Sequence, residues 1–130
     1  MNKKLMGLML LGALATAGCV SNPTVASTAP GDVAPAAAAT LHVDNLNFAD
    51  VDVFVVQDGG VERRIGMVNG NKSADFTLDP AMLNSGQLRL IANPIGANGR
   101  ANSGPVVVHP GQTVTFTIQP DLRTSSVSVH

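Results

Sequence analysis

Histidine and aspartate are the residue types in this 130-residue sequence that most often carry acid–base or metal chemistry. The three histidines, His42, His109 and His130, are far apart, and no two have the spacing of metal ligands. No serine lies in a nucleophile elbow of the form Gly-x-Ser-x-Gly. We therefore expect surface histidines, no cofactor and no enzymatic activity.

Three aspartates are the best candidates for binding a cation. Asp50 and Asp52 are two residues apart in a strand pattern, so both side chains point to one face, and Asp44 could lie on a neighbouring strand. Such a cluster would suit Ca²⁺, which takes about six to eight oxygen ligands. No loop supplies the spaced ligands of a calcium site, so we interpret the three as solvated surface charge. An exported protein that binds a small ligand or a divalent cation is the alternative function.

The first 19 residues have the three-part plan of a secretory signal peptide. Lys3 and Lys4 precede an apolar run over residues 5–15, and small residues follow up to Cys19. The apolar run has 11 residues, whereas a helix needs about 20 to cross the hydrocarbon core of a bilayer. Residues 1–18 are therefore predicted to be a cleaved export signal.

Cys19 is the sole cysteine, which excludes an internal disulfide and a cysteine-based zinc site. A free thiol is a liability in an oxidising compartment, so its position directly after the apolar run is informative. Ala17-Gly18-Cys19 resembles the lipobox of bacterial lipoproteins, although Thr16 stands where an aliphatic residue is usual. The resemblance implies that Cys19 is acylated and becomes the mature N-terminus. Because Val20 follows instead of aspartate, it also implies the periplasmic side of the outer membrane.

A second processing route fits the same residues. Ala15-Thr16-Ala17 is a small-x-small site at which ordinary signal peptidase would cut before Gly18. The product would be a soluble periplasmic or secreted protein. The two routes predict different mature N-termini.

Residues 19–39 are predicted to be a disordered linker behind the lipidated cysteine. Positions 20–39 contain three prolines and many small residues, with no hydrophobic periodicity. A flexible coil of these 20 residues spans about 25 Å, enough to hold a domain clear of lipid headgroups.

Residues 40–130 are predicted to form one β domain, because apolar and polar residues alternate there with a period of two. Turn-forming residues separate the alternating runs, as at 58–60, 69–70 and 110–111. One short stretch, 79–84, has an Asp-Pro start typical of a single helical turn. We predict an all-β fold, an antiparallel β-sandwich of about seven short strands, with 124–129 as an eighth strand or a tail.

The segment from Leu41 to Pro120 resembles small β-sandwich domains of unknown function found in exported bacterial proteins. The resemblance is carried by motifs at 50–55, 66–70, 75–78 and 110–114. These motifs imply an architecture and no particular activity. Transthyretin-like and immunoglobulin-like topologies both fit the predicted number of strands.

Two runs contain more apolar residues than one buried face of a strand can hold. The runs 53–56 and 106–108 are apolar on both faces, so Phe54, Val56 and Val107 cannot all enter one core. Either these side chains form an exposed patch that contacts a protein partner, or the domain's own segments cover them. Arg100, in the longest predicted loop at 94–104, is a further candidate contact.

The net charge of −1 and the lack of a basic stripe argue against nucleic-acid binding. We therefore expect a membrane-anchored lipoprotein that is a non-enzymatic accessory or binding module of the cell envelope. Its membrane contact would be the lipid on Cys19. Phe54, Val56 and Arg100 are the predicted contacts with a protein partner.

Overall fold

The structure, a computed structural model, describes residues 35–130. The predicted signal peptide, Cys19 and linker residues up to 34 lie outside the described residues. The described part contains eight strands: β1 (Ala39–Asn45), β2 (Val51–Gln57), β3 (Glu62–Val68), β4 (Lys72–Leu78), β5 (Leu88–Pro94), β6 (Ala101–Val106), β7 (Thr113–Ile118) and β8 (Ser126–Val129). The predicted all-β fold class is confirmed, and the segment near residue 126 is a strand.

The strands form two four-stranded sheets that pack face to face. Sheet A has the order β4-β1-β7-β8, and sheet B has the order β3-β2-β5-β6. Neighbouring strands are antiparallel except for β1 and β7, which pair in parallel. Parallel neighbours need a long connection, and here most of the domain lies between them in sequence.

The core lies between the inner faces of the sheets, where the alternating pattern places its apolar residues. Phe116 is the largest fully buried side chain, and it packs among Leu41, Val43, Val53 and Leu90. Each large apolar side chain buried in this way contributes about 1.5–3 kcal/mol to folding. The apolar positions of the predicted strands are therefore the ones whose burial contributes most to the stability of the fold.

Two short helical segments join strands. The predicted helical turn is α1 (Pro80–Leu83), which begins with proline in its first turn and buries Met82 and Leu83 against the core. A 3-10 turn at Leu122–Thr124 precedes β8. Within residues 35–130 no helix is long and apolar enough to cross a membrane.

The loop predicted at 94–104 is shorter than expected, because β6 begins at Ala101 and ends at Val106. Residues 101–104 of the predicted loop thus belong to this strand. Ala101 is buried and pairs with Ala92 of β5. Gly104, with a φ of 72°, and Pro105 accompany a register irregularity in this pairing, which an edge strand tolerates.

The strand directions give the sandwich two different ends. The loops 46–50, 69–71, 95–100 and 119–125 meet at one end, which we call the distal end. The chain enters the domain at the opposite, proximal end, where the Ala38 carbonyl accepts a hydrogen bond from the Gly111 N–H at 3.0 Å. The distal end therefore lies opposite the end at which Ala39 begins β1.

Candidate functional site

Phe48 is the most exposed large apolar side chain in the described part of the chain. It lies in the 46–50 loop at the distal end, and 84% of its surface is accessible. Leu46 and Ile95, from the same end, are about half exposed. An apolar group of this kind at one end of a small domain is typical of a contact surface.

The base of this loop is held by Asn45, the one buried polar side chain among the described residues. Its Nδ2 donates to the carbonyl oxygens of Ala49, Val68 and Asn69 at 2.9, 3.2 and 3.0 Å. Its Oδ1 accepts from the Asn47 N–H at 3.0 Å. Because an amide group has two hydrogens, one of them is shared between two carbonyls.

Further hydrogen bonds fix the residues on either side of Phe48. The Asn47 Oδ1 accepts from the Ala49 N–H at 3.0 Å, and the Asn47 carbonyl accepts from the Asn71 N–H at 3.0 Å. The Asp50 carboxylate accepts from the Gly70 N–H at 2.8 Å. The loop therefore presents Phe48 on a backbone that is already ordered.

A shallow cleft of about 470 Å³ adjoins the ring. Phe48 and Met67 supply apolar surface, Lys72 supplies an ammonium group, and Gly70 also lines the cleft. Methionine adapts to irregular partners, and an aromatic ring supplies contact area at low entropic cost. Asp50, Asn69 and Ser73 also line the cleft, so its surface combines apolar and polar groups.

Of the contact residues predicted from the sequence, Phe54 and Val56 lie on the outer face of sheet B, whereas Arg100 is the last residue of the 95–100 loop at the distal end. Phe54 is half-buried opposite Ile91, and Val56 is only 8% exposed. The Arg100 Nη1 donates to the Glu62 Oε1 at 2.9 Å. Glu62 lies on edge strand β3 and Arg100 directly precedes edge strand β6, so this ion pair joins the two edges of the sheet. Phe54 and Val56 are thus much less exposed than Phe48.

Val107 lies outside the strands of sheet B. It follows β6 at the proximal end and is 47% exposed. Val107 is therefore more exposed than Phe54 and Val56.

The three candidate aspartates have separate partners. Asp44 lies on β1 in sheet A beside His42, whereas Asp50 binds the Gly70 backbone. Asp52, on β2 of sheet B, accepts from the Nε and Nη2 of Arg64 at 2.9 and 2.7 Å. Within residues 35–130 no group of three His, Cys, Asp or Glu residues is arranged to hold a metal ion.

His42 lies between two carboxylates on the outer face of sheet A. Its Nδ1 is 2.5 Å from the Oδ1 of Asp75, directly opposite on β4, and its Nε2 is 3.2 Å from the Oδ1 of Asp44. A histidine that donates from both nitrogens is protonated. The hydrogen bond to Asp75 raises the pKa of His42, the Asp44 charge adds to that effect, and partial burial opposes it.

We expect the His42→Gln substitution to lower stability more at pH 5.5 than at pH 8.5. A raised pKa in the folded state stabilises the fold fully below about 6.5, the pKa of unfolded histidine, and this stabilisation is lost as pH rises through the folded value. The ring is about a third exposed, so we expect a difference below about 1 kcal/mol. Urea unfolding at the two pH values measures it, with the exposed His109→Gln as the matched control. Equal losses at both pH values would rule out the ion-pair explanation.

Asn45 and Phe48 escaped the analysis based on the sequence. The signal that could have identified them is the pair of apolar residues, Leu46 and Phe48, placed between strands in a segment rich in Asn and Asp. Such segments form turns at the protein surface, where a phenylalanine side chain has no core to pack against.

Comparison with known proteins gives only distant likenesses. No protein-family model matches the chain, and no curated protein matches it. An NMR structure of a protein from Eubacterium rectale is similar at 14% identity and a TM-score of 0.45, over 71% of this chain and 87% of that one. A crystal structure of a Gram-negative toxin is similar at 12% identity and a TM-score of 0.37, over 72% of this chain and 23% of that one. At these values neither bears on function. The described part of this chain is a small all-β domain of two sheets.

Proposed function

We propose that this protein is a lipid-anchored, non-enzymatic binding module of the cell envelope, and that its distal end contacts a protein partner. The observation that carries the proposal is Phe48, an aromatic ring 84% exposed on a loop whose flanking residues are hydrogen-bonded. Aromatic residues are enriched among the few that dominate binding energy. A loop ordered in advance loses little entropy on binding.

The position of the distal end supports this role. The chain enters the domain at the proximal end, so a tether attached there would leave the distal end free of the point of attachment. The predicted linker would allow the domain to move over about 25 Å while it stays bound to the lipid surface.

The lipid anchor is proposed from the sequence of residues 16–20. We expect mass spectrometry of the mature protein to find an acylated N-terminal Cys19, with the protein in the outer membrane. Cys19→Ser is the matched control, and it should remove the acyl mass and release the protein from membranes. An unmodified chain that begins at Gly18 would contradict the anchor and support soluble export.

We also propose that the sandwich is of the transthyretin-like type. In the immunoglobulin constant arrangement the first strand pairs with the second, whereas here β1 pairs with β4 and β7. The strand order therefore favours the transthyretin-like alternative of the two that fit the sequence.

We expect Phe48→Ser to weaken capture of the partner by about tenfold, which corresponds to about 1.4 kcal/mol. The matched control is Val61→Ser at the proximal end, where the side chain is 75% exposed. Both variants should keep the wild-type melting temperature, because neither side chain is buried. Co-purification from the native envelope, quantified against wild type, measures the effect. Equal capture by both variants would contradict a role for the distal end.

A further inference from the structure

The sequence contains two Asn-Gly pairs, Asn69-Gly70 and Asn98-Gly99, and both lie in loops at the distal end. Asparagine before glycine is prone to deamidation, because glycine has no side chain to hinder its backbone nitrogen. That nitrogen attacks the side-chain Cγ of asparagine and loses its proton, while the amide group takes up a proton and leaves as ammonia. Water then opens the resulting succinimide ring to aspartate or isoaspartate. Each pair is therefore a candidate site of covalent modification.

Hydrogen bonds hold the peptide group between Asn69 and Gly70 on both sides. Its N–H donates to the Asp50 carboxylate at 2.8 Å. Its C=O accepts from the Asn45 Nδ2 at 3.0 Å and from the Lys72 N–H at 3.2 Å. Ring closure must rotate this peptide group and remove the proton from its nitrogen, so it must break these bonds. A hydrogen bond to a carboxylate is stronger than one between neutral groups, so the Asp50 bond is the main obstacle.

The peptide group between Asn98 and Gly99 has no such restraint. Residues 95–100 are all exposed. Within residues 35–130 no other backbone group hydrogen-bonds to this peptide group, and the side chain of Arg100, the next residue, binds Glu62. Loop segments without hydrogen bonds change conformation at little cost in free energy. Water therefore reaches the Gly99 nitrogen, and the backbone can rotate into the geometry of ring closure.

We propose that Asn98 is the residue at which this protein deamidates, and that Asp50 protects Asn69 from the same reaction. Water is the only co-reactant, ammonia leaves, and the product carries one added negative charge. At Asn69 an isoaspartate would insert an extra carbon into the backbone next to Gly70, which closely approaches the Phe48 carbonyl. Protection of Asn69 therefore preserves the loop that carries Phe48. The inference does not depend on whether the distal end binds a partner.

Incubation of the purified chain in mildly alkaline buffer made with heavy-oxygen water tests the proposal, because the label enters only the new carboxyl group. Tryptic peptides 65–72 and 90–100 report the two sites by mass spectrometry. We expect Asn98 to react at least about tenfold faster than Asn69, since a charge-assisted hydrogen bond must break at Asn69 alone. In guanidinium chloride the two sites should react at similar rates, because neither peptide group keeps its hydrogen bonds.

Two variants test the protective role of Asp50. Asp50→Ala should raise the rate at Asn69 about tenfold, whereas Asp50→Asn, which keeps an acceptor oxygen, should raise it less. The rate at Asn98 should be unchanged in both variants and is the internal control. The ratio in wild type needs no variant, so the proposal stays testable if Asp50→Ala folds poorly. Equal rates at the two sites of the folded chain, the same ratio in guanidinium chloride, or no change at Asn69 in folded Asp50→Ala would overturn the proposal.

Discussion

Replacing Asn45 by alanine is expected to lower the free energy of unfolding by about 3 kcal/mol. The substitution removes the amide that satisfies the carbonyls of Ala49, Val68 and Asn69, and the oxygen that accepts from the Asn47 N–H. Alanine offers no replacement partner, and buried polar groups without partners are costly. Chemical denaturation followed by circular dichroism measures the loss.

The matched control is the same substitution at Asn98, an exposed residue in the 95–100 loop. Its effect should stay within about 0.5 kcal/mol. Asn45→Asp provides a second comparison, because a carboxylate would face three carbonyl oxygens. We expect it to be at least as damaging as alanine at neutral pH, and less so as the pH falls. A loss below about 1 kcal/mol for Asn45→Ala would show that water satisfies these groups and that the amide does not order the loop.

Replacing Gly70 by alanine is expected to cost about 2–3 kcal/mol. An added Cβ would lie 2.1 Å from the carbonyl oxygen of Phe48 and 2.7 Å from its carbonyl carbon. Because both obstacles are backbone atoms, the 46–50 loop itself must move. Gly70→Ala should therefore displace Phe48 and also weaken partner capture.

Gly66→Ala is the informative comparison, because there the obstacle is a side chain. Its added Cβ would lie 2.3 Å from the Cε1 of Phe76. A double-mutant cycle with Phe76→Ala should recover part of the cost of Gly66→Ala, whereas Phe48→Ala should recover none of the cost of Gly70→Ala. Unfolding of the single and double variants measures both couplings. Recovery in the Gly70 cycle would mean that the ring, and not the loop backbone, is the obstacle.

The strands of this fold could be predicted because each buries one face. In β1, β4 and β7 the apolar residues recur with a period of two, and turn residues mark the ends. Strand order could not be predicted in this way, because the pairing of β1 with β7 depends on contacts between residues far apart in sequence. β6 was misplaced because Asn102, Gly104 and Pro105 are typical of loops, and an edge strand accommodates them.

The candidate site was less predictable than the fold. The sequence shows the excess apolar residues around Phe54. It does not show the Arg100–Glu62 ion pair across sheet B, because the two residues are 38 positions apart. The role of Asn45 depends on three carbonyls, two of which lie 23 and 24 residues farther along the chain, and no local pattern reveals those two. Phe48 can be recognised as a candidate contact only from the structure, in which its side chain is exposed and its loop is held by hydrogen bonds.

Photocrosslinking in the native envelope tests the central claim most directly. A benzophenone amino acid replaces Phe48 in one variant and Val61 in the other, so an exposed probe stands at each end of the same sandwich. We expect irradiation to give a discrete adduct with one protein from position 48 and none from position 61. An adduct from position 61 alone, or the same adducts from both positions, would contradict a binding surface at the distal end.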